Sequence, residues 1–593
     1  MDVLTSFRQI IQKIRQNNRR ESMKKMRKIK TKVQIKKCLA LVLAGVMMAG
    51  MLTGCGSKES STTGAHSEEI EAAYVDGAFD PKAVTDGVEL TIAIPGDSLV
   101  EDYETNGMTK RIEEELGVDL TFLVLPTADY NKKMNLMVSG GDELPDIIFD
   151  AEGWQSWAAE DVLVELSDFY GDENCSANVR AGIERSGVDL LSYLTDTDGK
   201  IYAVPSYNDE IFAESYQKMW IYQPWLDELG LEVPTTLDEY YEYCKLVVSK
   251  DMNGNGKADE VGLSGNSLGE WFDFLMSSFV YAHDPEWRIV EDGKVNYAFA
   301  TDEWKEGLKY IKKFFDEGLI PDVTLTQSTD GFRKIWHAEE VQLFSFVYFI
   351  YNGSNLETRA NYTCIPALEG PDGTINSCKI PAVANAGAVI TTDCENPLAA
   401  FLVCDYMCNP DMSISQRFGG QGIDWDYWED IKEDYNEDEF VPSLEEAGIV
   451  FYAYDMINWW TKTSGQNESY RYGGPYILDR GLMNGYGLWT GAADDNIRTL
   501  AELEQISVQS AIDCIEDQPE EVFDFGPLSL DEQDEWGDVY ATMYQYVKES
   551  TGSFLTGKKD IDAEWDSYIQ ELEKLQYKEY LEVVQAAYDR AHQ

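Results

Sequence analysis

The sequence predicts an α/β protein built on a parallel sheet, with a helix-rich C-terminal part. Three observations carry that expectation. From Val88 onward strand-like and helix-like segments alternate, the pattern of parallel strands joined by helices. From about residue 395 helical periodicity dominates down to the C-terminus. Ahead of both stands a leader that belongs to neither, in which basic, apolar and small-residue stretches follow one another as in a secretory signal.

Residues 1–37 carry 13 Lys or Arg against two acids, Asp2 and Glu21, and Cys38 to Thr53 is an uncharged run of 16 residues. A membrane-crossing helix needs about 20 apolar residues, so residues 1–54 read as an export signal, with Met23 or Met26 as alternative starts. The exit, Leu52-Thr53-Gly54-Cys55, resembles a bacterial lipobox, which implies that Cys55 is acylated (palmitate or a similar chain) and becomes the first mature residue. An ordinary cysteine near a cleavage site is the plainer alternative. Residues 56–86 are rich in Ser, Thr, Gly and acids and read as a flexible tether.

The sheet opens with VELTIAIPGD (Val88 to Asp97), a strand ending in a turn. MTKRIEEELG follows as a helix closed by Gly117, then VDLTFLVLP as a second strand. YNKKMNLMVSGGDELPDIIFD supplies a helix, a glycine break and a short buried strand at Asp146 to Phe149. In such sheets ligands gather at the carboxyl ends of the strands. Further on, Thr235 or Thr236 before an acidic turn predicts a helix start, and Asp302 to Gly318 predicts an amphipathic helix closed by glycine.

Beyond residue 54 the chain holds 35 basic and 105 acidic residues, a formal charge of about −70. That balance repels phosphate backbones and anionic lipid head groups and sets nucleic-acid binding aside. Eight cysteines remain, at 175, 244, 364, 378, 394, 404, 408 and 514. Their irregular spacing in a long chain suits buried thiols as well as disulfides. The four histidines, His66, His283, His337 and His592, give a zinc site or a catalytic triad little material.

Several segments in order resemble the lipid-anchored extracellular solute-binding proteins (family 1 type) of bacterial ABC importers, in their long oligosaccharide-binding branch. They are SGGDELPDII (Ser139 to Ile148), DGKIYAVP (Asp198 to Pro205), WLDELGLEVPTTLDEYYEYCK with the loop after it, Asp292 to Ile320, and Thr556 to Leu575. The resemblance spans roughly residues 88–590. It implies a two-lobed periplasmic-binding-protein-like fold whose hinge lies near Ala203–Ser206 and Ile380–Ala386, closing on a ligand between the lobes. The implied division is a signal peptide over 1–54, a tether over 55–86, lobe 1 over 87–205, lobe 2 over 206–382, and over 383–593 a return to lobe 1 with helices shared between the lobes. It further implies a monomer on the outer face of the cell membrane, held by its lipid alone, that hands an extracellular carbohydrate to ABC permease subunits without chemistry.

The loop DMNGNGKADE places Asp251, Asn253, Asn255, Lys257 and Asp259 at positions 1, 3, 5, 7 and 9, with Gly256 at position 6. This is the spacing of an EF-hand, except that position 12 is Gly262. Glu260 can supply the missing carboxylate, as the similar loop does in calcium-binding relatives. Oxygen ligands alone favour a structural Ca²⁺, and an Asx-rich turn without an ion is the alternative.

For the ligand, position singles out Asp97, Asp150 and Trp154 at strand ends, Tyr207 and Asn208 at the crossing, and Tyr348 at the end of QLFSFVYFIYNGS. Asp424 and Trp425 in RFGGQGIDWDYW, and Trp459 and Trp460 in NWWTKTSG, complete the set. Aromatic faces and a few polar groups suit sugar rings; packing is the alternative for every aromatic. Acid-and-Trp linings favour a neutral oligosaccharide unless Arg417 or Lys462 enters; peptide and aminated ligands stay open. The rivals are an exported glycoside hydrolase or lyase, which needs two carboxylates about 5 to 9.5 Å apart, and a sensory binding protein for a receptor kinase. No P-loop or HExxH occurs.

Overall fold

The computed structural model describes residues 65–592 except 197–198, 216, 339, 349–355, 437–438, 443–448, 454–465, 490 and 492–494. Two principal sheets, each with its own core, make two α/β lobes.

The first sheet has six strands in the order Asp119–Pro126, Glu89–Gly96, Ile147–Phe149, Asn385–Ile390, Ala203–Asn208, Tyr476–Leu478. All are parallel except Asn385–Ile390, which runs against both its neighbours. The strand period of two distributes the apolar side chains. Leu90, Ile92, Ile94, Ile147 and Phe149 enter one core, and Ala93 and Ile148 enter the other. Helices cover both faces, which is why Ile147–Phe149 is buried throughout. The Gly107–Leu116 helix starts at Asn106, whose side chain accepts from the Met108 amide, and ends at Gly117 with φ 76°.

The second sheet runs Tyr362–Ile365, Met219–Tyr222, Leu343–Val347, Val261–Ser264. Its Leu237–Val248 helix opens with a capping box of Thr236 and Glu239 and buries Leu237, Tyr240, Cys244 and Val247. The C-terminal helices Leu530–Leu555, Ile561–Lys574 and Tyr577–Ala591 bring Met543, Val547, Phe554, Trp565, Tyr568 and Val584 into the core that holds Ile221, Leu263 and Phe344. The last part of the chain is thus packed on the second lobe. A further sheet, Trp425–Tyr427, Phe451–Ala453, Tyr486–Trp489, Phe440–Pro442, shares a core with Trp220 and Phe346 of the second sheet and Leu478 of the first.

The chain leaves the first sheet at Asn208 and enters the second at Met219; it returns between Ile365 and Asn385. A third passage follows the Asp495–Cys514 helix. The three passages are tied to one another. The Ile380 amide donates to the Glu214 carbonyl at 2.9 Å, Ser215 Oγ to the Cys378 carbonyl at 3.1 Å, and Ser377 Oγ to the Cys514 carbonyl at 2.6 Å.

One expectation is corrected. Residues 65–86 are not tether: Ser67–Ala72 is a helix, Tyr74–Val75 pairs with Ala78–Phe79, and Lys82–Thr85 is a second short helix. Ile70, Phe79 and Val84 pack against the first-lobe core, apolar contacts that a polar composition hides. The eight cysteines from Cys175 to Cys514 are all free, and all but Cys364 are buried.

Candidate ligand-binding site

The carboxyl edge of the first sheet is closed by one segment, residues 466–474. Gln466 exchanges backbone hydrogen bonds with Leu99 and Glu101. Asn106 Nδ2 donates to the Ser469 carbonyl at 3.0 Å, and Gln416 Nε2 to the Gly473 carbonyl at 2.8 Å. So anchored, the segment brings Arg471 Nε to 2.9 Å from Asp97 Oδ2 and the Gly474 amide to 3.4 Å from Asp150 Oδ1. Gly474 has φ 93°, and a Cβ there would stand 2.7 Å from the Phe149 ring, so only glycine permits this approach.

Three side-chain-bearing residues here hold left-handed backbone: Asp150 (φ 50°), Arg471 (φ 55°) and Tyr472 (φ 70°). Such conformations collect at functional sites. Burial pushes the Asp150 carboxyl up to about 7, with the Glu152 charge adding to the effect and the Gly474 amide opposing it. Tyr472 and Tyr476 lie 5.5 Å apart, centroid to centroid.

Charges also line the first passage. Glu210 pairs with Arg417, whose side chain is wholly buried, and Arg480 pairs with Asp209 and Glu214 at 2.5 Å each. Arg417 therefore enters the junction, held by an acid. A buried pair of this kind fixes geometry more than it adds stability.

The sequence-predicted residues fall into three groups. Asp97 and Asp150 are brought together by the 466–474 segment. Asn208 ends its strand beside Leu478, with a buried Oδ1 that has no partner among the described residues. Tyr348 packs its ring 5.6 Å from Phe332 and 5.9 Å from Trp336. Asp424 folds back on its own turn, accepting from the Gly420 amide at 2.9 Å.

Three aromatics are packing residues here. Trp154 lies in the core beneath the sheet, 6.4 Å from Tyr202. Tyr207 is buried on the opposite face. Trp425 is fully buried, its Nε1 donating to the Gly419 carbonyl at 2.9 Å. Trp459, Trp460, Lys462 and Cys55 lie outside the described residues. Sequence reasoning missed Arg471 and Tyr472; the signal was the run Tyr-Arg-Tyr-Gly-Gly at 470–474.

The 251–260 loop joins the Leu237–Val248 helix to the Val261–Ser264 strand. Gly254 and Gly256 have φ 71° and 78°. The Gly256 amide donates to Asp251 Oδ2 at 2.9 Å, the Asn255 amide to Asn253 Oδ1 at 3.0 Å, and the Lys257 amide to Asn255 Oδ1 at 2.8 Å. Asp259 accepts from the amide groups of Asn253, Asn255 and Gln342. Glu260 is buried, and its Oε1 accepts from the Met252 and Asn253 amides at 2.7 and 3.2 Å. Its Oε2 is buried without a partner among the described residues. An all-oxygen donor set beside an orphaned carboxylate oxygen fits a hard cation.

With this geometry established, residues 96–412 match the family model of the bacterial extracellular solute-binding proteins. The chain belongs to that family. It is 25% identical over 556 residues to the fructooligosaccharide ABC transporter substrate-binding protein FusA of Streptococcus pneumoniae, covering 91% of this chain and 96% of FusA. It is 28% identical over 294 residues to lipoprotein LipO of Bacillus subtilis, covering 48% and 51%. Among solved structures it is similar to an extracellular solute-binding protein of Bifidobacterium longum subsp. infantis (TM-score 0.67, 19% identity, covering 86% and 99%). FusA in complex with kestose gives a TM-score of 0.63 at 22% identity, covering 85% and 99%, and a FusA EF-hand mutant in complex with fructo-nystose gives 0.62. These structures share the two-lobed fold with this solute-binding protein.

Proposed function

We propose that this solute-binding protein captures an oligosaccharide between its lobes by hinge closure and delivers it to an ABC permease as a monomer anchored through acylated Cys55, without acting on it chemically. The observation that carries the reading is the gathering of Asp97, Asp150, Arg471 and Tyr472 by one anchored segment at the carboxyl edge of the first sheet. Acceptors, a guanidinium and a phenol ring are the groups that meet hydroxyl edges and apolar ring faces. Arg471 already satisfies Asp97, so it orients the carboxylate for a ligand hydroxyl. The names of the relatives favour a sugar, and LipO, a lipoprotein, favours the anchor.

Calcium belongs to the same proposal. The side chains of Asp251, Asn253, Asn255, Asp259 and Glu260 with the Lys257 carbonyl would hold it, and the ion would neutralise three acids in one loop. Thermal unfolding of residues 56–593 with kestose as first probe, against other glycans, tests the main reading. A ligand at a hundredfold excess over Kd adds about 2.7 kcal/mol to the native state. A saturable shift without new reducing ends supports capture. New reducing ends would establish a hydrolase or lyase instead. A calcium-dependent rise in Tm that Glu260→Gln removes supports the ion; a rise that survives that change would place the ion elsewhere.

A further inference from the structure

Ten residue steps separate Cys55 from Ala65, where the described fold begins. From there the chain is bound to one side of lobe 1. The His66 amide donates to Asp168 Oδ2 at 3.1 Å, and its ring lies 4.7 Å from that of Phe169. Tyr74 Oη donates to Asp172 Oδ2 at 2.9 Å and accepts from Asn174 Nδ2 at 2.8 Å. Ala73 and Thr85 are fully buried, the Lys82 ammonium donates to the Glu114 carbonyl at 3.2 Å, and the Gly87 amide to the Gly117 carbonyl at 2.7 Å. Residues 65–86 are thereby part of the folded lobe 1.

Reach decides the consequence. An extended chain spans at most about 3.5 Å per residue, so ten steps allow about 35 Å, where a tether running to residue 86 would allow about 110 Å. A folded body of this length has a radius of gyration of about 24 Å, and so a width of about 60 Å. The leash is shorter than the body is wide, and the far side cannot reach the bilayer.

We infer that residues 65–86 form a docked collar that makes the Asp168–Asn174 side of lobe 1 the membrane-facing surface, with a lipid bilayer as the partner it faces and lobe 2 as the lobe that swings. This rests on the acylation of Cys55 proposed above. Exposed Glu68, Glu71, Asp76 and Glu173 on this side oppose adsorption to anionic head groups, so the surface stands off the bilayer within the leash.

The test uses the full acylated chain in a Cys364→Ser background on liposomes carrying a head-group quencher. A fluorophore is placed at Glu173→Cys in lobe 1 or at Glu303→Cys in lobe 2. The expected result is several-fold stronger quenching at 173 than at 303, with the difference lost when a 30-residue Gly/Ser insert separates Gly64 from Ala65. Equal quenching in the native-length chain, or an insert without effect, overturns the orientation. Hydrogen exchange of the soluble chain judges the collar independently. Ser67–Thr85 should be protected, and Tyr74→Ala with His66→Ala should release it; fast exchange in the native sequence overturns the collar. If Cys55→Ser still floats with liposomes like the native chain, the acyl-anchor reading falls and takes the orientation with it, while the exchange result still decides the collar.

Discussion

Asp405 and Asp150, two carboxylates of lobe 1, sit in different surroundings, the first buried and the second half-buried. Asp405, on the Pro397–Met407 helix, accepts from the Asn178 amide at 3.2 Å, Asn178 Nδ2 at 2.7 Å and the Val179 amide at 3.0 Å. These are first-turn groups of the Ala177–Ser186 helix, where an anion is favoured by the unsatisfied amides. Asp150, at the carboxyl edge of the first sheet, has one amide at 3.4 Å, a repelling neighbour in Glu152 and a left-handed backbone. Burial raises both, to about 6 for Asp405 and about 7 for Asp150. The satisfied acid is architecture. The poorly satisfied one holds a cost that a ligand's hydroxyl can offset.

The largest expected effect breaks the architectural member. Asp405→Ala leaves three donors without their acceptor, and urea unfolding should show a loss of about 2–4 kcal/mol. Asp150→Ala should lose much less in the same assay, and equal losses would erase the distinction.

The second effect is a pH dependence. Both folded-state values exceed the carboxylate reference of 3.8, so the folded chain binds these protons more tightly than the unfolded chain. Their contribution is complete below about pH 4 and is lost as pH rises through about 6 and 7. Buried His283, lowered to about 3 from 6.5 by burial, works the other way: its contribution is complete above about 6.5 and is lost as pH falls toward 3. The opposing slopes overlap from about 4 to 6.5, so the variant difference is the clean measurement. Asp150→Asn should gain about 1–2 kcal/mol on the native protein between pH 5 and 8. A flat difference would mean that Asp150 titrates normally.

Third, the same Asp150→Asn should weaken ligand binding about tenfold at pH 8, the scale of one charged hydrogen bond, as read by calorimetry with whichever glycan the thermal screen selects. Smallest, Asp150→Gly removes the left-handed strain and should return about 0.5–1 kcal/mol at neutral pH, while lowering affinity as Asp150→Asn does.

Much of the fold was legible because its signals are local. The strands at Glu89–Gly96, Asp119–Pro126 and Ile147–Phe149 and the capping box at Thr236 follow from period, branching and cap chemistry. Asp97 and Asp150 could be named because strand ends are predictable from the same signals. Arg471 and Tyr472 could not, because what brings them there is Gln416, Asn106 and Leu99, up to several hundred residues away in sequence. Trp154 and Trp425 look like sugar platforms by residue type, but their burial depends on which face of the sheet or turn the finished fold covers.

By itself the sequence determined the acidic balance, the α/β order and the oxygen-rich spacing of residues 251–260, since each depends on composition or on neighbours within a few residues. Only the tertiary structure decided that residues 65–86 belong to the body, that the last three helices serve lobe 2, and that residues 466–474 close the carboxyl edge of the first sheet. Those outcomes rest on contacts between distant segments, whose pairing is set by the packing of a whole core and leaves no local period in the chain.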